Sequence, residues 1–241
     1  LRAALARRFG GWKSPAPKAP PLPPPLETPA PGKIALVHRP GAPQTVIYLA
    51  RPVASPGEKQ RVVRECLNGL FGGSFTSRLM QNIREKHGYS YGARSWFQQD
   101  ANQASLRAST SVQTSVTGAA LRELKREFDA LAQGGVQAEE MAKATRTLRF
   151  ETVSEAGTTE GLALAYAELL EEGRPLDSIS KGLAALETLR LEDLAAEARS
   201  GIYSWDSLLV VLVGDKEAVL PQLKAEGFPE PVLVDPEGRP L

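Results

Sequence analysis

Apolar residues follow two rhythms along this chain. In one they alternate or cluster over a few positions rich in β-branched and aromatic side chains, which predicts strands at Lys33 to His38, Thr45 to Ala50, Tyr91 to Gln99, Ala104 to Thr110, Leu208 to Val213 and, briefly, Val232 to Val234. In the other they recur at i, i+3 and i+4, as Leu121, Leu124, Phe128 and Leu131 do within a helix from about Ser115 to Gln133. Helices are also predicted over Glu58 to Phe71 and Phe75 to His87, with three or four more between Gln137 and Ile202, punctuated by Gly157, Gly173-Arg174-Pro175 and Gly201. Pro40-Gly41 joins the first two strands, and Asp100 to Asn102 turns the hairpin of the next two. Strands open and close the sequence around a helical middle. The fold class this implies is α+β: a sheet of about five or six strands, largely antiparallel, with helices covering one face.

The N-terminal end departs from both rhythms. Residues 1 to 9 read as a short Arg/Ala/Leu helix, and from Pro15 to Pro31 nine of seventeen residues are proline. Such a tract favours extended polyproline II and joins neither sheet nor helix interior. The expected organisation is therefore a helical stub and proline-rich linker over 1–31, following a preceding domain, and one folded domain over 32–241. With 42% hydrophobic and 24% charged residues the composition is that of an ordinary globular protein. A net charge of +1 with acids and bases interleaved gives no reason to expect nucleic acid or an anionic membrane surface as a partner, and no apolar run approaches the roughly 20 residues that span a bilayer. Cys66 is the single cysteine and lies among Val62, Val63, Leu67 and Leu70, a core position by pattern. No targeting segment is visible, but the sequence opens on Leu1 and not Met, so bacterial cytoplasm and periplasm both stay open.

The most distinctive stretch is Leu70 to Ala93, LFGGSFTSRLMQNIREKHGYSYGA. Gly72 and Gly73 follow an apolar helical run and permit positive φ or close backbone approach. Thr76 or Ser77 can cap a helix carrying Leu79, Ile83 and Arg84, and Gly88 ends it before Tyr89, Tyr91 and Trp96. In order, the segment contains Gly72-Gly73, Ser77-Arg78-Leu79, Arg84-Glu85-Lys86 and Gly88-Tyr89-Ser90-Tyr91. This ordered set resembles the C-terminal, non-metal half of the pitrilysin-like (inverzincin) zinc metallopeptidases, and in particular the bacterial relatives of the mitochondrial processing peptidase. The likeness extends more loosely from the run Arg7 to Trp12 through Pro43-Gln44 to the strand Ser207 to Gly214.

Candidate chemistry is read beside that resemblance. A catalytic zinc needs about three protein ligands and an open position, whereas this chain holds only His38 and His87 and no H-x-x-E-H or H-E-x-x-H. The helix that matches the metal-bearing helix of the active half reads RVVRECLNGL, without histidine. No metal site or cofactor is therefore expected in this chain; the resemblance places zinc in a partner half. His38 reads as a satisfied strand-end histidine and His87 as a partner of helix C-terminal carbonyls. By spacing, Arg84 falls on the last turn before Gly88 and Tyr91 opens the next strand, so both can point into one cleft. The resemblance implies that they reach across to the other half's zinc site and help hold the scissile carbonyl, a task suited to a phenol donor and a fixed guanidinium. The plainer alternative makes Arg84 a helix-end cation and Tyr91 a half-buried strand residue. Gly72, Gly73 and Ser74 are candidates for binding a substrate chain through their backbone, or simply a tight connection that needs small residues. Tyr89, Trp96 and Phe97 either line an apolar specificity surface or belong to the core. Together these imply the substrate-binding, zinc-lacking half of a zinc metalloendopeptidase, inactive alone, that acts on peptides with a separate or fused H-x-x-E-H half. An open chamber face would also favour self-association. Two other readings remain: a protease-dead structural or assembly subunit, and a stand-alone peptide-binding module.

Overall fold

The computed structural model describes residues 2–13, 33–99 and 104–241, so the proline tract and the turn at Asp100 to Asn102 lie outside the described residues. The elements, in chain order, are α1 (Arg2–Phe9), β1 (Ile34–His38), β2 (Gln44–Val53), α2 (Glu58–Asn68), β3 (Ala93–Gln99), β4 (Ala104–Gln113), α3 (Thr117–Ala132), α4 (Ala138–Ala156), α5 (Thr159–Glu171), α6 (Ser178–Glu187), α7 (Leu191–Glu197), β5 (Leu209–Gly214), α8 (Lys216–Ala225) and β6 (Val232–Val234). Two wider helical turns, Gly69–Gly73 and Met80–Lys86, continue α2 and lead toward β3. Such segments, with i→i+5 hydrogen bonding, concentrate at functional sites.

The strands form one mixed α+β sheet in the order β3-β4-β2-β5-β1-β6. The β3–β4, β4–β2 and β2–β5 ladders are antiparallel, while β1 runs parallel to both β5 and β6. The strands joined by Pro40-Gly41 are thus not neighbours: β5 enters between them, pairing Val210 with Ile34 on one side and Leu212 with Ile47 on the other. Its sequence LVVLVG, apolar at nearly every position, suits a strand with neighbours on both edges.

Alternation along the strands divides the two faces of the sheet. Ile34 and Leu36, Thr45, Ile47 and Leu49, Leu106, Ala108 and Val112, and Val210 and Leu212 are buried on one face. There they join α2 and α3 residues, including Val63, Leu67, Leu121, Leu124, Phe128 and Leu131, in a single hydrophobic core. Tyr203 stands at the centre of an aromatic group, with the Phe71 ring at 5.2 Å, Phe128 at 6.3 Å and Phe97 at 6.4 Å. Burial pushes its phenol far above its ordinary range, and the hydroxyl has no hydrogen-bond partner among the described residues. The opposite face carries the alternates, among them Tyr48 edge-on to Trp96 at 6.1 Å. Cys66 is in the core, as its neighbours predict.

Candidate functional site

The wide turn Gly69–Gly73 lies against β3, an edge strand of the sheet, and leaves no room for a side chain at Gly72 or Gly73. A Cβ on Gly72 would come within 2.6 Å of the Ser95 backbone nitrogen, and one on Gly73 within 3.0 Å of the Asn68 carbonyl oxygen. Ser95 Oγ donates to Asn68 Oδ1 at 2.6 Å across the same junction. Gly72 and Gly73 are therefore first of all a close-packing pair; Gly72 is buried, whereas Gly73 is exposed.

After the turn the chain exposes Phe75 and then re-enters a helix whose anchors face inward. Arg78 donates to both carboxylate oxygens of Glu140 and to the Gly135 carbonyl, tying this segment to the start of α4. Burial alone would raise the Glu140 carboxyl, but hydrogen bonds from Arg78 and the Gln137 amide, with the charge of the guanidinium, hold it below its ordinary range. Asn82 donates to Glu127 at 2.6 Å, fastening the helix to α3. His87 does not serve the helix terminus as expected. Its Nε2 lies 3.7 Å from Glu123, a carboxylate buried on α3, and its ring stacks on Tyr89 at 4.9 Å. Gly88, at φ +63°, then reverses the chain. His38 is satisfied as expected, its Nδ1 accepting from the Lys216 amide at 3.1 Å.

The loop that follows is pinned on either side of Tyr91. The Tyr89 amide donates to the Ile83 carbonyl, Ser90 Oγ and the backbone of Gly92 close a small ring of hydrogen bonds, and Thr110 donates to the Gly92 carbonyl. With its neighbours fixed, the Tyr91 side chain projects outward, 91% exposed. It lines an open cleft of about 820 Å³ together with Gly72, Gly73, Arg94, Trp96 and Ser109. Arg84 is not among the residues lining this cleft. Its guanidinium lies 4.7 Å above the ring of Phe75, itself 64% exposed, and its Nε is 3.3 Å from Glu85. The structure thus brings Tyr91, Gly72 and Gly73 to one cleft, while Arg84, expected to share it, lies outside its lining and over an aromatic ring. Ser74 faces the other way. With Gly73 it borders a second cleft, of about 520 Å³, between α2 and α4. Phe97 packs against the core and Trp96 borders the Tyr91 cleft.

The sequence reading missed the stripe Arg61, Glu65 and Asn68 along α2, spaced i, i+4 and i+7 on one helix face. Its only sequence signal is that spacing. Glu65 borders the α2/α4 cleft and two further clefts that open toward α5 and toward the β3 strand. Glu65 is itself solvent-exposed, yet the protein crowded around its carboxyl withdraws enough water to push it up to about 7, against the opposing charges of Arg61 and Arg174. Among the described residues no group of three or more His, Cys, Asp or Glu side chains is arranged to hold a metal ion, and no helix is long and apolar enough to cross a membrane.

Comparison with known proteins places this architecture. Residues 1–148 match the sequence model described as the peptidase M16 inactive domain. An uncharacterized zinc protease of Streptomyces coelicolor is 28% identical over 224 residues, covering 90% of this chain and 48% of the relative. Among solved structures, a protease from Helicobacter pylori superposes with a TM-score of 0.72 at 18% identity, covering 88% of this chain and 51% of that one. The M16 inactive domain from Pseudomonas fluorescens gives 0.66 at 22% identity, covering 78% and 45%. The chain spans about half the length of these relatives. The match over more than half of its length, with the fold shared by its neighbours, shows that the chain belongs to the M16 peptidase family as an inactive half-domain of the zinc protease type.

Proposed function

We propose that this chain is the substrate-binding, zinc-lacking half of a zinc metalloendopeptidase, working with an H-x-x-E-H half that is fused or separate. The observation that carries this reading is the exposed Tyr91 phenol, held by a pinned loop at a cleft whose wall is the Gly72-Gly73 turn. A phenol in that position can donate to an oxyanion developing on a peptide carbonyl. The guanidinium of Arg84 is held by Phe75 and Glu85, contacts weak enough to exchange for a bound carboxylate or oxyanion when the two halves close. Gly73 and Ser74, at the border between the Tyr91 cleft and the α2/α4 cleft, present backbone to a peptide lying across both. Zinc, its ligands and the water-activating glutamate belong to the other half in this reading. A shared chamber fits half-domains that make up about half of their relatives.

The test is reconstitution with the H-x-x-E-H half. This chain alone should take up no stoichiometric zinc and cleave no peptide, and mixing should restore both. In the assembled enzyme Tyr91→Phe should lower kcat by up to ~10²-fold, the usual effect of losing one transition-state donor, with zinc content unchanged. Turnover equal to that of the unsubstituted enzyme would remove Tyr91 from the mechanism, and tight zinc binding by the isolated chain would overturn the assignment of halves.

A further inference from the structure

The loop that carries Tyr91 is anchored at its two ends by different chemistry. On the strand side the anchors are neutral: Thr110 donates to the Gly92 carbonyl, and the Gln113 amide donates to the Tyr89 carbonyl. On the helix side stands His87, whose ring stacks on Tyr89 at 4.9 Å and whose Nε2, shut away from solvent, has no hydrogen-bond partner among the described residues. That nitrogen lies 3.7 Å from Glu123, whose side chain is only 3% exposed. Burial raises the Glu123 carboxyl, but the hydrogen bond from Asn82 and the charges of Arg126 and His87 outweigh it and hold it below its ordinary range, so it stays ionised in neutral solution. The other charged groups around His87 are Arg122 and Arg126 of α3, drawn onto the same carboxylate at 3.6 and 3.0 Å, Glu127, which accepts from Asn82, and Arg84, Glu85 and Lys86 of its own segment. Carboxylates, guanidiniums and amines ordinarily keep their charge through the range of about pH 5 to 8 in which an imidazole changes it.

We propose that His87 is a positioning residue for Tyr91, its charge setting how firmly the phenol is held at the cleft. This rests on the role given to Tyr91 above and adds a regulation to it. Once protonated, Nε2 is a charged donor facing a buried carboxylate, and closing the 3.7 Å gap to a charge-assisted bond ties the end of the helix to α3. The neutral ring offers that carboxylate no charged donor, and an unpartnered polar atom in a buried place is costly. The path from His87 to Tyr91 is short. Gly88 reverses the chain at φ +63°, and Tyr89, which carries the stacked ring, donates its amide to the Ile83 carbonyl at 3.0 Å. Ser90 and Gly92 then close the hydrogen-bonded ring from which Tyr91 projects. A firmer hold on His87 is therefore a firmer hold on the phenol, and the loop is best ordered in mildly acid solution. His38, the other histidine of the chain, is engaged by the Lys216 amide beside Asp215.

The experiment follows the amide resonances of Ser90, Tyr91 and Gly92 in the nitrogen-labelled full chain, without substrate, as pH is raised from about 5 to about 8. The three should move along one curve, the same curve that the His87 ring protons trace, and their order parameters should fall from the rigid value of about 0.85 as the ring loses its proton. In His87→Gln both the movement and the loss of order should vanish. In Glu123→Gln, which removes the charge that the imidazolium faces and keeps the shape, the change in order should vanish while the ring still titrates. Glu65, whose carboxyl is pushed up to about 7, is untouched in both variants, so a response that survives His87→Gln belongs to another group and overturns the proposal. Loop amides that stay still while His87 titrates overturn it as well. Thermal melts verify that each variant is folded; if His87→Gln does not fold, Glu123→Gln decides alone, and an unchanged loss of order in it overturns the coupling. No catalysis is read, so failure here leaves the peptidase reading standing, whereas undiminished turnover of Tyr91→Phe removes that role for the phenol and leaves the coupling intact.

Discussion

At Gly72 there is no room for a methyl group. An added Cβ would meet the Ser95 amide nitrogen at 2.6 Å and a Leu79 methyl at 2.9 Å, and the first of these is backbone of an edge strand that the sheet holds in place. Gly72→Ala should therefore destabilise the chain by about 1–3 kcal/mol through overpacking, measured as a lower denaturant midpoint with unchanged slope. A midpoint equal to that of the unsubstituted chain would mean that the turn relaxes away from β3 at no cost. The glycine pair was legible in the sequence as a place of open or crowded backbone, and the structure decides for crowding. Other residues were legible only by type. His87 could be placed near a helix end, but its partner Glu123 is thirty-six positions away, a pairing that local spacing does not report. Phe75, the platform under Arg84, had no signal at all, since a single aromatic in a loop fits many roles.

Elements were more legible than their pairing. The period-two and period-three-to-four patterns located the six strands and the helices up to Ile202 to within a few residues, because most of these elements bury residues in the same core, whereas α8 (Lys216–Ala225) was not predicted. Strand order is a different matter. Pro40-Gly41 makes a tight turn wherever β1 and β2 end up, so the entry of β5 between them, from about 170 positions downstream, is set by the core and not by the turn. The wide turns Gly69–Gly73 and Met80–Lys86 were hidden for a similar reason: one extra residue per turn barely shifts an apolar stripe over so short a span. The second of them is fastened by Asn82 to α3 and entered from the Arg78–Glu140 pair, a bidentate contact at the base of α4. Glu140→Gln should weaken the fold by about 1–3 kcal/mol near neutral pH, since it leaves a largely buried guanidinium with a poorer acceptor. The sign with pH follows from the depressed carboxyl. Its contribution is complete above the usual carboxylate range and is lost as pH falls through the folded value, so urea titrations of the two proteins should converge in acid. A gap that stays constant down to low pH would show that the pair stabilises by shape alone.

At the scale of the whole molecule, most carboxyls whose affinity for protons is altered by folding, Glu58, Glu123, Glu140, Asp193 and Asp215, are displaced downward, and each favours the folded state in neutral solution. Glu65 runs against them, raised to about 7 by enclosure. The groups facing it are Arg61 of its own helix and Arg174, which lower it, and Glu168 of α5 and Glu172, which raise it further. Between its unfolded value of about 4.5 and its folded value the native chain binds the extra proton, so this residue costs nothing in acid and progressively opposes folding as pH rises to about 7, after which the cost is constant. Glu65→Gln should thus melt with the parent chain at a pH of about 4 and above it by a widening margin up to about 8, a trend opposite to that of Glu140→Gln. Its size is reduced by the water that reaches the clefts. A difference in melting temperature independent of pH would mean that the carboxylate is adequately solvated where it stands. If the trend is found, the chain keeps at the meeting point of its clefts an acid that weakens its own fold in neutral solution.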